Sequence, residues 1–262
     1  MNNALIGHSG FVGSTLLKQT AFTHLFRSTD IQNIENQSFD TVVCAGAPAQ
    51  KWIANKDPAG DKEKIEKLIS HLKTMQCKSF VLISTVDVFK NPLNANEQSP
   101  VDEVDLHPYG LHRRLLESFV ESHFANYLIV RLPGLVGPGL RKNIIFDLLN
   151  NNNLSNIDSR GVFQFYPMVN LWYDIQTALQ YKLRLIHLTA EPISVAEIAE
   201  YGFGINFSER LNSTPANYNF MTKHALEFGA AGPYQYNKRE VIQAVRSYAQ
   251  SEPMTMKDEG TL

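Results

Sequence analysis

Apolar residues in the first half of the chain fall in short runs separated by longer amphipathic stretches. This is the alternation of strands buried on both faces with helices that cover them. Ala4-Leu5-Ile6 reads as a strand, Ser14-Thr15-Leu16-Leu17-Lys18 as part of a helix beginning at about Gly13, and Thr23–Arg27 as a second strand. Thr41-Val42-Val43-Cys44-Ala45 is an apolar run closed by Gly46, and Phe80-Val81-Leu82-Ile83 is another closed by Ser84-Thr85. Between them, Asp61–Lys73 sets Ile65, Leu68, Ile69 and Leu72 on one helical face and Lys and Glu on the other. Tyr109–Phe124 is helical, Tyr127-Leu128-Ile129-Val130-Arg131 is a strand stopped by Pro133-Gly134, and Leu183–Leu188 adds one more. The order predicts an α/β fold with a doubly wound parallel sheet and ligands at the carboxyl ends of its strands.

The segment after the first strand carries the strongest chemical signal: Gly7-His8-Ser9-Gly10-Phe11-Val12-Gly13. Glycines at a tight strand-to-helix turn let a pyrophosphate approach the backbone, and the following helix offers N–H groups and a positive dipole end. Gly7, Ser9, Gly10, Phe11, Val12 and Gly13 are therefore the expected dinucleotide contacts, and the sheet is expected to be of Rossmann type. The spacing is G-x-x-G-x-x-G rather than the G-x-G-x-x-G of ordinary dehydrogenases.

From about Leu135 the pattern loosens. Asn150–Asn153 reads as a helix end and loop. Gln164–Pro167 and Leu171–Tyr173 read as core. No strand order is evident after Tyr201 until the helix Lys238–Tyr248. The expected division is a dinucleotide-binding body over 1–135, with a returning strand near 183–188, and a small substrate lobe over 136–262 whose tail 251–262 is frayed. At 262 residues with a net charge of -2, the chain lacks the basic excess of a nucleic-acid binder. It has no apolar run of membrane-spanning length. Without a secretion signal, and with Cys44 and Cys77 read as buried thiols, a cytoplasmic protein is expected. No metal site is expected, and His112 reads as a surface or substrate-side residue.

Three further features follow in order. Thr85 ends a buried strand within Ser84-Thr85-Val86-Asp87-Val88-Phe89; Tyr109 opens a helix as Tyr109-Gly110-Leu111-His112-Arg113; and Arg131-Leu132-Pro133-Gly134-Leu135-Val136-Gly137-Pro138 follows the next strand. A tyrosine with a cation four residues on is a candidate proton donor whose pKa the charge lowers, and a hydroxyl at a strand end can orient a carbonyl.

Together these motifs, over residues 4 to 138, resemble the extended short-chain dehydrogenase/reductases of the NAD-dependent epimerase/dehydratase group, and most nearly the dTDP-4-dehydrorhamnose reductases. Ile193–Ala199 resembles that family's lobe helix. The resemblance implies that Thr85 and Tyr109 are catalytic and that Arg113 stands where the family has a lysine that binds the nicotinamide ribose. It places Pro133 and Leu135 near the nicotinamide amide and Lys142-Asn143 near a sugar nucleotide. Ala45, Gly46 and Ala47 are expected beside the adenine-side ribose. Lys51 and Trp52 face substrate or, alternatively, cap a helix and pack; Asp87 and Asn143 are further substrate candidates. Because Arg27 and Ser28 end the second strand where NAD enzymes carry an acid, NADP(H) is favoured over NAD(H), with Asp30 turned to the ribose as the alternative. The implied activity is reduction of a ketone on a nucleotide-linked sugar. Epimerisation and a non-catalytic dinucleotide sensor are the alternatives; dehydration is disfavoured because the family's Asp-Glu pair after the threonine is here Val86-Asp87. The Tyr109–Phe124 helix has apolar positions enough for a homodimer face or for packing on the sheet.

Overall fold

The computed structural model describes residues 2–252, so most of the tail 251–262 lies outside the described residues. Its centre is a six-stranded, wholly parallel sheet. Four of its strands are β1 (Asn3–Ile6), β2 (His24–Phe26), β3 (Ser38–Cys44) and β4 (Gln76–Thr85), followed by Tyr127–Leu132 and Leu185–His187. The spatial order is Leu185–His187, Tyr127–Leu132, β4, β3, β1, β2. The chain leaves β1 first to one side and then, from β2, crosses to the other. The carboxyl end of β1 is therefore the point at which the winding reverses, the place where such sheets bind ligands.

The apolar runs are continuous because each strand is buried on both faces. Along β1, Ala4 and Ile6 enter one core while Leu5 enters the other; along β4, Phe80 and Leu82 alternate with Val81 and Ile83. The first core is covered by helix α3 (Pro58–Leu72), through Ile65, Leu68, Ile69 and Leu72, and by helix α4 (Pro108–His123), through Leu116 and Val120. The second is covered by helix α1 (Phe11–Gln19), through Leu16, and by the helix Leu171–Gln180, through Leu171, Ile175 and Ala178.

That last helix follows residue 135 in the chain yet packs on the sheet, as does the strand Leu185–His187. Tyr166, Met168 and the whole inner face of Leu171–Gln180 belong to the sheet's own core. The reading of Leu171–Tyr173 as core holds for Leu171 but not for Tyr173, which is exposed. A third apolar cluster joins Val136, Ile145, Leu148, Ile193 and Ile198 to Val241 and Val245 of the helix Lys238–Ser251. Ser194 and Glu197 form a reciprocal cap over the short helix Val195–Glu197, which continues as a wider-wound turn Ile198–Phe203. The stretch after Tyr201 does hold one strand, Asn219–Phe220, which pairs with Leu93–Ala95. It is too short to leave a period in the sequence.

Candidate active site

At the end of β1 the chain is held from both sides: the Gly7 amide donates to the Phe26 carbonyl at 2.8 Å and the Ala45 amide to the Ile6 carbonyl at 2.9 Å. Gly7 has φ +83°, and a Cβ there would lie 2.4 Å from the Ala45 carbonyl oxygen. A Cβ on Gly13 would lie 2.2 Å from the Gly7 oxygen, so α1 presses directly on the turn. Gly10 differs. Its φ is -77°, and the nearest atom to an added Cβ is the Gly7 oxygen at 3.5 Å. Among the described residues nothing requires glycine at this exposed position. No side chain caps α1 and no acid stands in its first turn, so the Phe11, Val12 and Gly13 amides lack an intrahelical acceptor. An open cradle over an uncapped helix of nine residues fits a pyrophosphate.

The second centre lies at the end of β4. The Thr85 hydroxyl accepts the Asp87 amide at 3.1 Å, which starts the turn Val86–Val88. The first turn of α4 is pinned here: His107 Nδ1 accepts the Gly110 amide at 3.0 Å, and Asn55 Oδ1 accepts the Tyr109 amide at 3.0 Å. A Cβ on Gly110 would lie 2.1 Å from the Asp87 carbonyl oxygen, so only glycine lets α4 come this close. The result packs the first turn of α4, which carries Tyr109, against the turn that follows Thr85.

Arg113 lies one turn below, its guanidinium 4.0 Å from the centroid of the Tyr109 ring. Its charge does favour the phenolate, but burial of Tyr109 outweighs it and raises the phenol pKa, correcting the expected net lowering. The terminal nitrogens of Arg113 are also spent. Nη1 donates to Asp61 Oδ2 at 2.5 Å and to the Tyr109 carbonyl at 3.3 Å; Nη2 donates to Asp61 Oδ1 at 3.1 Å and to the Pro48 carbonyl. Only Nε, buried, has no partner among the described residues.

Asp61 is the residue that sequence reasoning missed. It is 5 % exposed and also holds His112 Nδ1 at 2.7 Å, which corrects the reading of His112 as a surface or substrate-side group. Burial pushes the Asp61 carboxyl up, but the hydrogen bonds and charges of Arg113 and His112 outweigh it and hold the pKa below the usual carboxylate range. The signal was available: Asp61 precedes Ile65 by one turn and so interrupts the apolar face of α3. Further along α4, Glu117, fully buried, accepts Ser84 Oγ at 2.6 Å, Arg131 Nε at 2.9 Å and Arg131 Nη2 at 2.7 Å. These bonds fix α4 to β4 and to Tyr127–Leu132 behind the site.

The remaining candidates divide. Ala45, Gly46 and Ala47 line the loop after β3, partly open. Lys51 opens helix α2 (Lys51–Lys56), and its Nζ donates to Asp87 Oδ1 at 2.7 Å; it does not cap a helix. Trp52 is 67 % exposed, not packed. Leu135 lies in the strand Gly134–Val136, just after Pro133, and its carbonyl accepts Asn143 Nδ2 at 2.8 Å. Asn143 Oδ1 caps the helix Ile144–Asn150, so both ends of that amide already have partners within the protein. Arg27 and Ser28 are exposed after β2, but the Asp30 carboxylate is there too, accepting the Arg27 amide at 2.7 Å and standing 3.6 Å from its Nε.

Residues 4–159 match the model of the NAD dependent epimerase/dehydratase family. No curated protein matches the chain. Among solved structures, UDP-glucose 4-epimerase of Thermotoga maritima with UDP-glucose is similar at TM-score 0.71 and 14 % identity, over 96 % of this chain and 98 % of that one. RMD of Pseudomonas aeruginosa complexed with NADPH gives TM-score 0.72 and 16 % identity over 96 % and 97 %. A dTDP-4-dehydrorhamnose reductase of Clostridium acetobutylicum gives 0.63 and 17 % over 95 % and 99 %. At these identities the likeness is one of fold.

Proposed function

The chain belongs to the NAD dependent epimerase/dehydratase family, and from that premise we propose that it reduces a keto group on a nucleotide-linked sugar, using NADP(H). The observation that carries this reading is the close packing of the first turn of α4, which carries Tyr109, on the turn after Thr85, beside the Lys51–Asp87 ion pair. Dehydration needs a free carboxylate beside the threonine. Here Val86 supplies none, and Asp87 is held by Lys51 at 2.7 Å.

The open Gly10 cradle and the α1 amides would hold the pyrophosphate, with Ala45–Ala47 along the ribose and Pro133 and Leu135 beside the nicotinamide. The cofactor supplies the hydride. Thr85 holds the substrate oxygen by a hydrogen bond, and Tyr109 gives it a proton. Burial favours the protonated phenol, so Tyr109 stays a donor at neutral pH. Arg113 is fixed by Asp61, and its positive charge lies under the ring, which eases the phenolate that forms once the proton has left. Exposed Arg27 and Ser28 would take the 2′-phosphate by charge-assisted hydrogen bonds.

Asp30 motivates one second reading. If its carboxylate leaves Arg27 for a ribose 2′-hydroxyl, the chain uses NAD and epimerises. Titration with NADPH and NADH, followed by nicotinamide fluorescence, separates the two: a preference of about tenfold for NADPH, about 1.4 kcal/mol, supports reduction, and binding of NADH alone supports epimerisation. Arg27→Asp is expected to abolish the NADPH preference; an unchanged ratio removes Arg27 from the assignment. Tyr109→Phe is expected to keep cofactor affinity and lower turnover about 100- to 10,000-fold. Unaltered turnover in that variant would remove Tyr109 from the proton-donor role.

A further inference from the structure

Two consecutive carbonyls of the loop after β3 are each held by a cation from another part of the chain. Arg113 Nη2 donates to the Pro48 carbonyl, and Lys142 Nζ donates to the Ala49 carbonyl. The two cations differ in what they have left to give. Arg113 is 2 % exposed, and its terminal nitrogens are committed to Asp61, the Tyr109 carbonyl and Pro48. Its unpartnered Nε is buried, out of reach of a ligand. Lys142 is exposed, and its one hydrogen bond among the described residues is that to Ala49. An ammonium carries three N–H donors, so two are left over.

The backbone beneath Lys142 is held in place from both sides. Asn143 has φ +102° and ψ 175°, a conformation that side chains other than glycine rarely adopt. Its own amide fixes it there: Nδ2 donates to the Leu135 carbonyl at 2.8 Å, and Oδ1 accepts the Ile145 and Phe146 amides at 2.9 and 3.3 Å. Earlier in the same loop, the Tyr248 hydroxyl donates to the Leu140 carbonyl at 3.1 Å, and Glu252 Oε1 accepts the Gly139 amide at 2.6 Å. Strain of this kind persists only where surrounding bonds over-determine it. Lys142 thus starts beside Leu135, on the wall assigned to the nicotinamide. It ends on Ala49, two residues past the Ala45–Ala47 stretch assigned to ribose.

Resting on the assignment of this cleft to a nicotinamide dinucleotide, we propose that Lys142 supplies the hydrogen bonds to the nicotinamide-side ribose that Arg113 cannot give. The ammonium keeps Ala49 as its anchor and offers its two remaining donors to the vicinal ribose hydroxyls. The ribose-binding role implied for position 113 has therefore moved to a different loop. Arg113 is left to the Tyr109 ring, 4.0 Å from its centroid.

The test is made on binding alone. Wild type is compared with Lys142→Met and with Arg141→Met, a control that removes an exposed charge from the adjacent position. Affinities are measured for NADPH, for adenosine 2′-phosphate 5′-diphosphate, which lacks the nicotinamide-side ribose, and for UDP and dTDP. NADH and ADP are run in parallel, so a preference for NAD changes the probe and not the outcome. Both variants alter exposed side chains and are expected to melt as wild type does. Lys142→Met is expected to weaken the dinucleotide about tenfold or more and its ribose-less fragment less than about twofold. Arg141→Met is expected to change either by less than about twofold. Equal weakening of dinucleotide and fragment by Lys142→Met overturns the proposal, because it makes Lys142 a general attractor of phosphate. A loss of dinucleotide affinity in Arg141→Met as large as in Lys142→Met overturns it in the same way. Unchanged dinucleotide affinity in Lys142→Met also overturns it, and lost UDP or dTDP binding in that case assigns Lys142 to the substrate's diphosphate. The reductase reading fails separately, on a wild-type chain that binds NADPH but reduces no nucleotide-linked ketosugar. A wild-type chain that binds neither dinucleotide overturns both.

Discussion

At the end of β1 seven consecutive residues make a site out of backbone, whereas at the end of β4 the site is made of side chains gathered from Lys51 on α2, Asp61 on α3, Thr85 and Asp87 after β4, and Tyr109 and Arg113 on α4. The first depends on what is missing, a Cβ at each of three positions. The second depends on charges being matched: Arg113 by Asp61, and Asp87 by Lys51. A backbone site is therefore injured by added atoms, and a side-chain site by removed ones.

The heaviest loss is expected from Asp61→Ala, which leaves the Arg113 guanidinium buried without its carboxylate. Denaturant unfolding should show a loss of about 3–5 kcal/mol. Because the Asp61 pKa is lowered in the fold, its contribution is present above the unfolded carboxylate value of about 3.9 and is lost as pH falls through the folded one. Asp61→Asn should accordingly weaken the acid limb of the stability profile. An unchanged acid limb would mean that the pair adds nothing to folding.

Asp174 supplies the opposite case. It is 1 % exposed and accepts Tyr166 Oη at 2.5 Å and Tyr236 Oη at 2.7 Å, with no cation in hydrogen-bond contact among the described residues. Burial outweighs those two bonds and pushes its pKa up to about 6. The folded chain then holds a proton that the unfolded chain has released, so stability falls as pH rises from about 4 through about 6, by roughly 3 kcal/mol in all. Asp174→Asn should remove that slope, and a thermal-melt series across this range would detect it.

Smaller effects separate the glycines. Gly13→Ala forces a Cβ against the Gly7 oxygen and should cost about 1–3 kcal/mol of stability. Gly10→Ala has room inside the protein and should change stability by no more than about 0.5 kcal/mol. It should still weaken NADPH about tenfold, about 1.4 kcal/mol. Equal effects of both alanines on folding, with none on binding, would disprove the open-cradle account.

This difference in construction also explains what a reader of the sequence alone can recover. β1, β3 and β4 carry continuous apolar runs because both faces are buried, and α3 and α4 show their inner stripes, so the sheet was legible. The glycine turn was legible because its parts are adjacent in the chain. The Asp61–Arg113 contact spans 52 residues and Lys51–Asp87 spans 36. No local period couples such partners, so the corner around Tyr109 was seen as separate residues without their pairings. His112 was misread for the same reason. The short strands Leu93–Ala95 and Asn219–Phe220 were hidden because two or three residues cannot display alternation.

The parallel sheet also sets a timetable for synthesis. Tyr127–Leu132 receives its outer neighbour only from Leu185–His187, and the helix Leu171–Gln180 covers the same core just before that strand. On a ribosome adding about 5–20 residues per second, roughly 3–11 s separate the emergence of these two strands. During that interval one edge of the sheet is unpaired and part of one face uncovered. The nascent chain is thus most open to chaperones, and to wrong strand pairing, while the residues between Pro133 and Arg184 are being made.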